Sequence, residues 1–358
     1  MRHESAHVKR GLPLLFLVLT LGCGGGNRPA EGQPRSYSEK SLAAALRREL
    51  TPEETPLLVS LLANTPEMER RARAMTVAAT NDLQRAKVLY DALAGRVSAK
   101  PVHGRRYRTA QEVFAAWDVP GEPFLCQELT YLYVSLARAV NLKAYTVFVE
   151  QDCFDAWNYH ACAAVFVDGK AMLVDPTYSR FDAGHKRFTI LDDLQSCALF
   201  LSGMVDKAES CESACKLAPT LPIVQVSFFD KLAGERRWKE ARDHLEVLLR
   251  LEPQGPMTYY AQAVMTFHDG KPDQAAKLLG EAVRLAPHMP QLQAMLGYIL
   301  VTEGKLVEAR QCYEEALRCS FDERSVAWAK QALADIETRL EGTNDTQPEG
   351  LSQEGLNR

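Results

Sequence analysis

The sequence lacks the motifs of two large groups of nucleotide-binding proteins, since it has neither a Walker motif nor a glycine-rich dinucleotide fingerprint. It also lacks the paired CxxC spacing of a structural zinc site. The formal net charge of its 358 residues is −4, which argues against nonspecific binding to nucleic acid. We therefore expect no cofactor, no metal and no nucleic-acid partner.

The chain is also too long and too apolar to need a scaffold of disulfides. Its 358 residues, 46% of them hydrophobic, can form two domains with cores of their own. We expect most of the nine cysteines to be buried apolar thiols. Their spacing does not identify any disulfide pair.

No apolar run near the N-terminus is long enough for a comfortable membrane span, because Leu12 to Leu21 is too short. Basic residues precede this run and Gly22-Cys23 follows it, which resembles a bacterial lipoprotein signal. The resemblance implies that residues 1–23 contain a signal peptide, that cleavage makes Cys23 the new N-terminus, and that Cys23 is then acylated. An ordinary secretory signal or an uncleaved anchor is the alternative. Residues 24–37 are expected to form a flexible tether, and the protein to lie in the bacterial cell envelope, attached to a membrane by its lipid.

A helix near the middle of the chain opens on a cysteine. Apolar residues at positions 125, 129, 132, 136 and 139 have the spacing of one buried helical face. Gly121 and Pro123 lie just upstream, so the helix is predicted to begin between Phe124 and Cys126. The positive end of a helix dipole lowers the pKa of a thiol placed there and favours the thiolate.

A histidine and an aspartate follow on a predicted hairpin. Its strands, Tyr159 to Val167 and Lys170 to Asp175, are joined by the turn sequence Asp168-Gly169. A two-residue turn places His160 and Asp175 diagonally on one face, within reach of a hydrogen bond. A three-residue turn would shift the register by one residue and separate them.

Thiol, imidazole and carboxylate together predict a nucleophilic triad of Cys126, His160 and Asp175. Their order, with Asp175-Pro176-Thr177 after a hydrophobic strand, resembles the transglutaminase-like domains, relatives of papain in their chemistry. The resemblance implies an α+β fold over residues 105–200, with helices packed on an antiparallel sheet. It implies that Cys126 attacks an amide or ester carbonyl, that His160 moves the proton and that Asp175 orients His160.

The segments around this domain are predicted to be helical. Residues 38–104 form a helical lead-in, with the basic stretch Ser98 to Arg108 as a surface loop after it. A capping box, Thr109 with Glu112, begins the next helix.

The C-terminal part contains a repeat. Ala241, Ala275 and Ala309 are spaced 34 residues apart, as are the prolines Pro253 and Pro287. This period resembles tetratricopeptide repeats, with copies at 222–255, 256–289 and 290–323 and a capping helix from residue 324 to 340. Residues 201–341 are therefore predicted to form an all-α solenoid, and residues 342–358 a disordered tail. The concave face of such a solenoid binds a protein or peptide; the alternative is a scaffold that holds the catalytic domain.

These features predict an exported, lipid-anchored cysteine amide hydrolase, a protease or amidase, or else an acyltransferase of the same type acting on a protein or peptide. The triad itself does not distinguish hydrolysis from transfer, but the resemblance to bacterial members with an export signal favours hydrolysis. The alternative is an inactive domain serving as an interaction scaffold in the envelope. Two departures favour it, since Phe124 replaces a frequent glycine and Cys162 a frequent aromatic residue. A second oxyanion donor is not evident; Gln111 and Trp117 are the candidates, and Trp117 and Trp157 could border the cleft.

Overall fold

The protein was analysed as a computed structural model, which describes residues 34–50, 54–96, 107–203, 208–319 and 323–344. The predicted signal with Cys23, most of the tether, most of the basic loop and most of the tail lie outside these ranges. Five helices come first in the described ranges: α1 (Glu39–Glu49), α2 (Glu54–Val59), α3 (Pro66–Met75), α4 (Asp82–Leu93) and α5 (Ala110–Ala115). The predicted capping box at the start of α5 is confirmed, because Thr109 and Glu112 exchange side-chain to backbone hydrogen bonds.

One antiparallel sheet follows helix α6 (Cys126–Ala139). Its strands are β1 (Lys143–Gln151), β2 (Trp157–Val167), β3 (Lys170–Asp175), β4 (Arg180–Phe181) and β5 (Arg187–Ile190), in the spatial order β4-β3-β2-β1-β5. The predicted hairpin register is confirmed, since Val167 pairs with Lys170. Asp168 and Gly169 both have positive φ, 50° and 78°, as a two-residue turn of matching twist requires.

Helix α6 is the central helix of the domain. Twelve of its fourteen residues are buried, because it packs on β1 and β2 while α3, α4 and α5 cover its other sides. Apolar side chains on several sides of a helix are buried only in such an enclosed position. The cysteine at its first residue is therefore held on a rigid element.

From residue 193 onward, the described ranges contain nine helices, of which the first eight stack in four pairs and the last packs on the eighth. They are α7 (Asp193–Ser202), α8 (Ala208–Leu217), α9 (Pro222–Gly234), α10 (Trp238–Leu251), α11 (Pro256–His268), α12 (Pro272–Leu285), α13 (Pro290–Thr302), α14 (Leu306–Cys319) and α15 (Glu323–Asn344). The helix pairs that begin at Pro222, Pro256 and Pro290 confirm the 34-residue period. Within the described ranges all cysteines are free thiols, and no helix there has both the length and the apolarity needed to span a membrane.

Two glycines of the repeats allow a matched test of helix packing. A Cβ on Gly297 would lie 3.0 Å from the ring of Tyr313, whereas a Cβ on Gly280 would meet nothing within 4 Å. We expect Gly280→Ala to raise the free energy of unfolding by about 1 kcal/mol, because alanine has the higher helix propensity. Gly297→Ala should be less stable than Gly280→Ala by about 1 to 3 kcal/mol, since the buried ring must move. Urea unfolding measures the stability of both variants. Equal gains in the free energy of unfolding would contradict the close packing of Gly297 on Tyr313.

Candidate active site

The N-terminus of α6 positions the thiol of Cys126. Leu125 is extended and Cys126 is the first helical residue, as predicted. The carboxylate of Glu128 accepts a hydrogen bond from the Leu125 N–H at 3.2 Å and so caps the first turn. Cys126 as a residue is half-buried, and its sulphur is carried by a fixed backbone.

Arg108 anchors the same turn from outside the helix. Its guanidinium donates to both carboxylate oxygens of the fully buried Glu128, at 3.2 and 3.0 Å, and to the carbonyl of Pro123 at 2.8 Å. Its backbone N–H donates to Glu128 as well. The prediction of a surface loop was therefore wrong for Arg108, whose side chain is 15% exposed: a guanidinium that binds a buried carboxylate must itself leave the solvent.

The hairpin brings His160 to Asp175. The Nε2 atom of His160 lies 2.7 Å from the Oδ2 atom of Asp175, and both side chains are buried. The other oxygen, Oδ1, accepts the backbone N–H groups of Thr177 and Tyr178 at 3.0 and 3.1 Å. The Asp-Pro-Thr turn thus fixes the carboxylate with its own backbone.

A tyrosine fixes the plane of the imidazole. The ring of Tyr178 stacks on that of His160, with centroids 4.7 Å apart and planes 8° from parallel. The Tyr178 hydroxyl donates to Asp152 at 3.0 Å, while the other oxygen of Asp152 accepts the N–H groups of Phe154 and Ala156. The loop before β2 therefore fixes Tyr178, and Tyr178 in turn fixes His160. The sequence alone predicted neither of these two contacts.

His160 also contacts the thiol of Cys126 by a hydrogen bond. Since Asp175 occupies Nε2, the Nδ1 atom of His160 is the one left for the sulphur. Burial alone would raise the pKa of Cys126, but the hydrogen bond and positive charge of His160, with a hydrogen bond from the backbone of Ala161, lower it below its ordinary value. The structure thus brings together all three predicted residues.

The groups that surround His160 stabilise its positive charge. Burial would lower the pKa of His160, but the Asp175 carboxylate and the thiolate raise it to about 10. Burial opposes ionisation of Asp175 as well, yet His160 keeps its pKa well below the usual range. These shifts favour an imidazolium and a carboxylate near neutral pH and move Cys126 towards the thiolate. By contrast, burial raises the pKa of the thiols of Cys162, Cys197, Cys211 and Cys215.

A second histidine contacts the same carboxylate. The Nε2 atom of His185 lies 2.9 Å from Asp175 Oδ2, and its side chain has no solvent exposure. Sequence reasoning missed His185, which lies in the loop between β4 and β5, because no strand register or repeat spacing links that loop to Asp175. The signal that could have found it is weak: a histidine shortly after the Asp-Pro-Thr turn.

The cluster of His160, Asp175 and His185 has side chains of the types that bind metal ions. One polar atom from each lies within 4.8 Å of the others. Both Nε2 atoms, however, approach one oxygen at ordinary hydrogen-bond lengths, so we interpret the cluster as hydrogen-bonded. A second, partly exposed group of His288, Glu315 and Cys319 lies in the repeats, where Glu315 also pairs with Arg318.

Three further residues were predicted at the site: Gln111 and Trp117 as oxyanion donors, and Trp117 and Trp157 as borders of the cleft. The side-chain amide of Gln111 donates to the carbonyl of Ala63 at 3.4 Å. Trp117 is 3% exposed, and the guanidinium groups of Arg71 and Arg96 lie over its ring, so both oxyanion candidates are engaged elsewhere. The side chain of Trp157 lies outside the described part of the structure.

The two departures from the resemblance both fill packed positions. Phe124 is 4% exposed and lies under the guanidinium of Arg108, 5.2 Å from ring centroid to guanidinium carbon. Cys162 is fully buried on β2. Neither residue disturbs the hydrogen bonds of the triad, so neither departure by itself argues for an inactive domain.

Comparison with known proteins gives two family matches. Residues 69–176 match the transglutaminase-like superfamily, and residues 267–334 match the tetratricopeptide repeat. The first match begins within the predicted lead-in and includes α4, which packs against α6. A search of curated proteins finds no match to the chain.

Solved structures similar to this chain are tetratricopeptide-repeat proteins. The first such domain of human RPAP3 is 21% identical over 36% of this chain and 99% of its own, with a TM-score of 0.31. The first repeat domain of Spaghetti (RPAP3) bound to an HSP90 peptide is 22% identical over 34% and 93%, with a TM-score of 0.29. A thermophilic repeat protein of Thermus thermophilus is 18% identical over 40% and 80%, with a TM-score of 0.32.

Proposed function

We propose that this chain, which carries a transglutaminase-like domain followed by tetratricopeptide repeats, is an enzyme. Its cysteine nucleophile cleaves an amide or ester bond of a protein or peptide. One observation carries the proposal: an unbroken chain of hydrogen bonds runs from Cys126 through His160 to Asp175. Nucleophile, base and orienting group in contact are the geometric requirement for covalent catalysis.

The first half of the reaction forms a thioester. The thiolate of Cys126 attacks the carbonyl carbon, and the carbonyl π electrons move to oxygen as a tetrahedral oxyanion forms. The backbone N–H of Cys126 belongs to the first turn of α6, where N–H groups lack intrahelical acceptors, and can donate to that oxyanion. As the oxyanion collapses, the bond to the leaving nitrogen breaks, and the imidazolium of His160 gives that nitrogen its Nδ1 proton.

The second half releases the acyl group. His160, now neutral, takes a proton from water or from an amine at Nδ1, and the resulting nucleophile attacks the thioester carbon. Cys126 leaves as the thiolate and His160 is again an imidazolium. Asp175 keeps the imidazole oriented throughout and stabilises its charged form. We propose that hydrolysis dominates, because the triad together with a predicted export signal resembles bacterial cysteine proteases and amidases.

An activated ester tests this proposal directly. With p-nitrophenyl acetate, we expect an acetyl adduct on Cys126, read by peptide mass spectrometry, that is absent from Cys126→Ala. Cys153→Ala removes another half-buried thiol and should retain the adduct. No adduct on Cys126 in the folded wild type, together with release of p-nitrophenolate no faster than that of Cys126→Ala, would contradict the proposal and favour the inactive scaffold. A primary amine added with the ester separates the two outcomes: acetyl transfer to the amine would mean transferase activity, and release as acetate would mean hydrolysis.

We further propose that the repeats bind a protein or peptide partner and that acylation at Cys23 attaches the protein to a membrane of the bacterial envelope. Tetratricopeptide repeats commonly present a concave face for such partners, and the residues before Cys23 resemble a lipoprotein signal. Incorporation of a labelled fatty acid in wild type but not in Cys23→Ala would support the anchor. Equal labelling of both would contradict it.

A further inference from the structure

The oxygen that orients His160 has two imidazole donors rather than one. Asp175 Oδ2 lies 2.7 Å from His160 Nε2 and 2.9 Å from His185 Nε2. The ring centroids of the two histidines are 6.0 Å apart, and both rings also approach Tyr178. The catalytic carboxylate is therefore enclosed by two histidines and a tyrosine.

The two histidines are not equivalent. His160 has a partner on each side, Asp175 and Cys126. The Nδ1 atom of His185 is buried and has no hydrogen-bond partner among the described residues. A proton on that atom would bury an unpaired donor, which is unfavourable. Since an ionised carboxylate only accepts, His185 must donate its Nε2–H to Asp175 and leave Nδ1 bare, while the imidazolium is His160.

Two donors that share one acceptor weaken each other, because each withdraws electron density from the same oxygen. The N–H of His185 therefore reduces the negative potential that Asp175 exerts on His160. Without this second donor, the carboxylate would stabilise the imidazolium more strongly. A general acid works best when its pKa is near the working pH, and that of His160 is already raised to about 10.

We propose that His185 is a positioning residue that moderates the interaction of Asp175 with His160, so that His160 can still give its proton to the leaving group. The functional part of this inference rests on the proposed acyl chemistry. The titratable groups around the cluster are Asp175 and Cys162 on the sheet, Tyr131 on α6, Tyr90 on α4 and Tyr178 and Asp152 in the adjoining loops.

Histidine-labelled NMR tests the step without requiring turnover. In His185→Leu, which removes the donor, we expect the His160 Nε2–H proton to move downfield. The imidazolium of His160 should also persist to a pH higher by roughly 0.5 to 1 unit. His185→Gln keeps an N–H donor at nearly the same place, so His160 should titrate in this variant as it does in wild type. A purely structural role would lower the stability of both variants and leave the His160 signal in place.

The other outcomes are equally decisive. An unchanged or lower titration of His160 in His185→Leu would overturn the proposal. If that variant does not fold, the wild-type spectrum still decides, since an Nε2 atom of His185 that carries no proton would contradict the donor role. Changes of the His160 and His185 signals on adding EDTA would assign the cluster to a metal and also overturn it. An inert Cys126 with the expected NMR shift would instead refute the proposed acyl chemistry alone.

Discussion

Replacing His160 by alanine is expected to slow the alkylation of Cys126 by iodoacetamide at about pH 6 by roughly tenfold to a hundredfold. An ordinary thiol, with a pKa of about 8.5, is roughly 0.3% thiolate at that pH. The contact with His160 lowers the pKa of Cys126, so a larger fraction of the wild-type sulphur is ionised. The weaker nucleophilicity of a low-pKa thiolate offsets part of the gain.

The pH dependence has a definite sign. The reactivity of wild-type Cys126 should be present above its lowered pKa and disappear as the pH falls through that value. The difference between wild type and His160→Ala should shrink at high pH for two reasons: an ordinary thiol ionises there too, and His160 loses its proton near a pKa of about 10. Peptide mass spectrometry across the pH range gives both curves.

Two internal controls accompany this measurement. Cys153 is half-buried like Cys126 and reports the general reactivity of the reagent in the same sample. His288→Ala removes an exposed histidine of the repeats and should leave the Cys126 curve unchanged. Identical curves for wild type and His160→Ala would show that the imidazole does not activate the thiol, and the simple enzyme hypothesis would be abandoned.

Glu128→Ala is expected to lower the free energy of unfolding by about 3 to 5 kcal/mol. The carboxylate of Glu128 has no solvent exposure and is bound by the guanidinium and backbone of Arg108 and by the N–H of Leu125. Its removal leaves the mostly buried Arg108 with Glu122 as its charged partner among the described residues. The first turn of α6 loses its cap at the same time, so Cys126 should also become less reactive.

Urea unfolding of three variants separates the causes of this effect. Glu240→Ala breaks a solvent-exposed pair with Arg237 and should leave the unfolding midpoint unchanged, because such pairs contribute little. The double variant Arg108→Met/Glu128→Leu replaces both buried charges by apolar groups and should recover much of the loss. A midpoint for Glu128→Ala equal to that of wild type would contradict the role assigned to the buried pair.

The sequence alone was sufficient for features governed by local spacing. The turn Asp168-Gly169 needs two positive φ angles, so its residues identify the hairpin, and the strand period of two then places His160 and Asp175 on one face. Gly121 and Pro123 locate the start of α6. The 34-residue period of alanines gives the helix pairs of the repeats, because each repeat packs in the same way on the next.

The tertiary structure decided the contacts between segments that no regular spacing connects. Arg108 reaches Glu128 twenty residues away, His185 reaches Asp175 from a loop, and Tyr178 stacks on His160. These pairings depend on where loops run once α6 and the sheet have packed, and on which side chains lose their water there. A one-dimensional pattern encodes the period of a helix or strand. It does not encode which polar groups burial brings together, and in this protein those groups hold the helix turn of Cys126, the plane of His160 and the carboxylate of Asp175 in place.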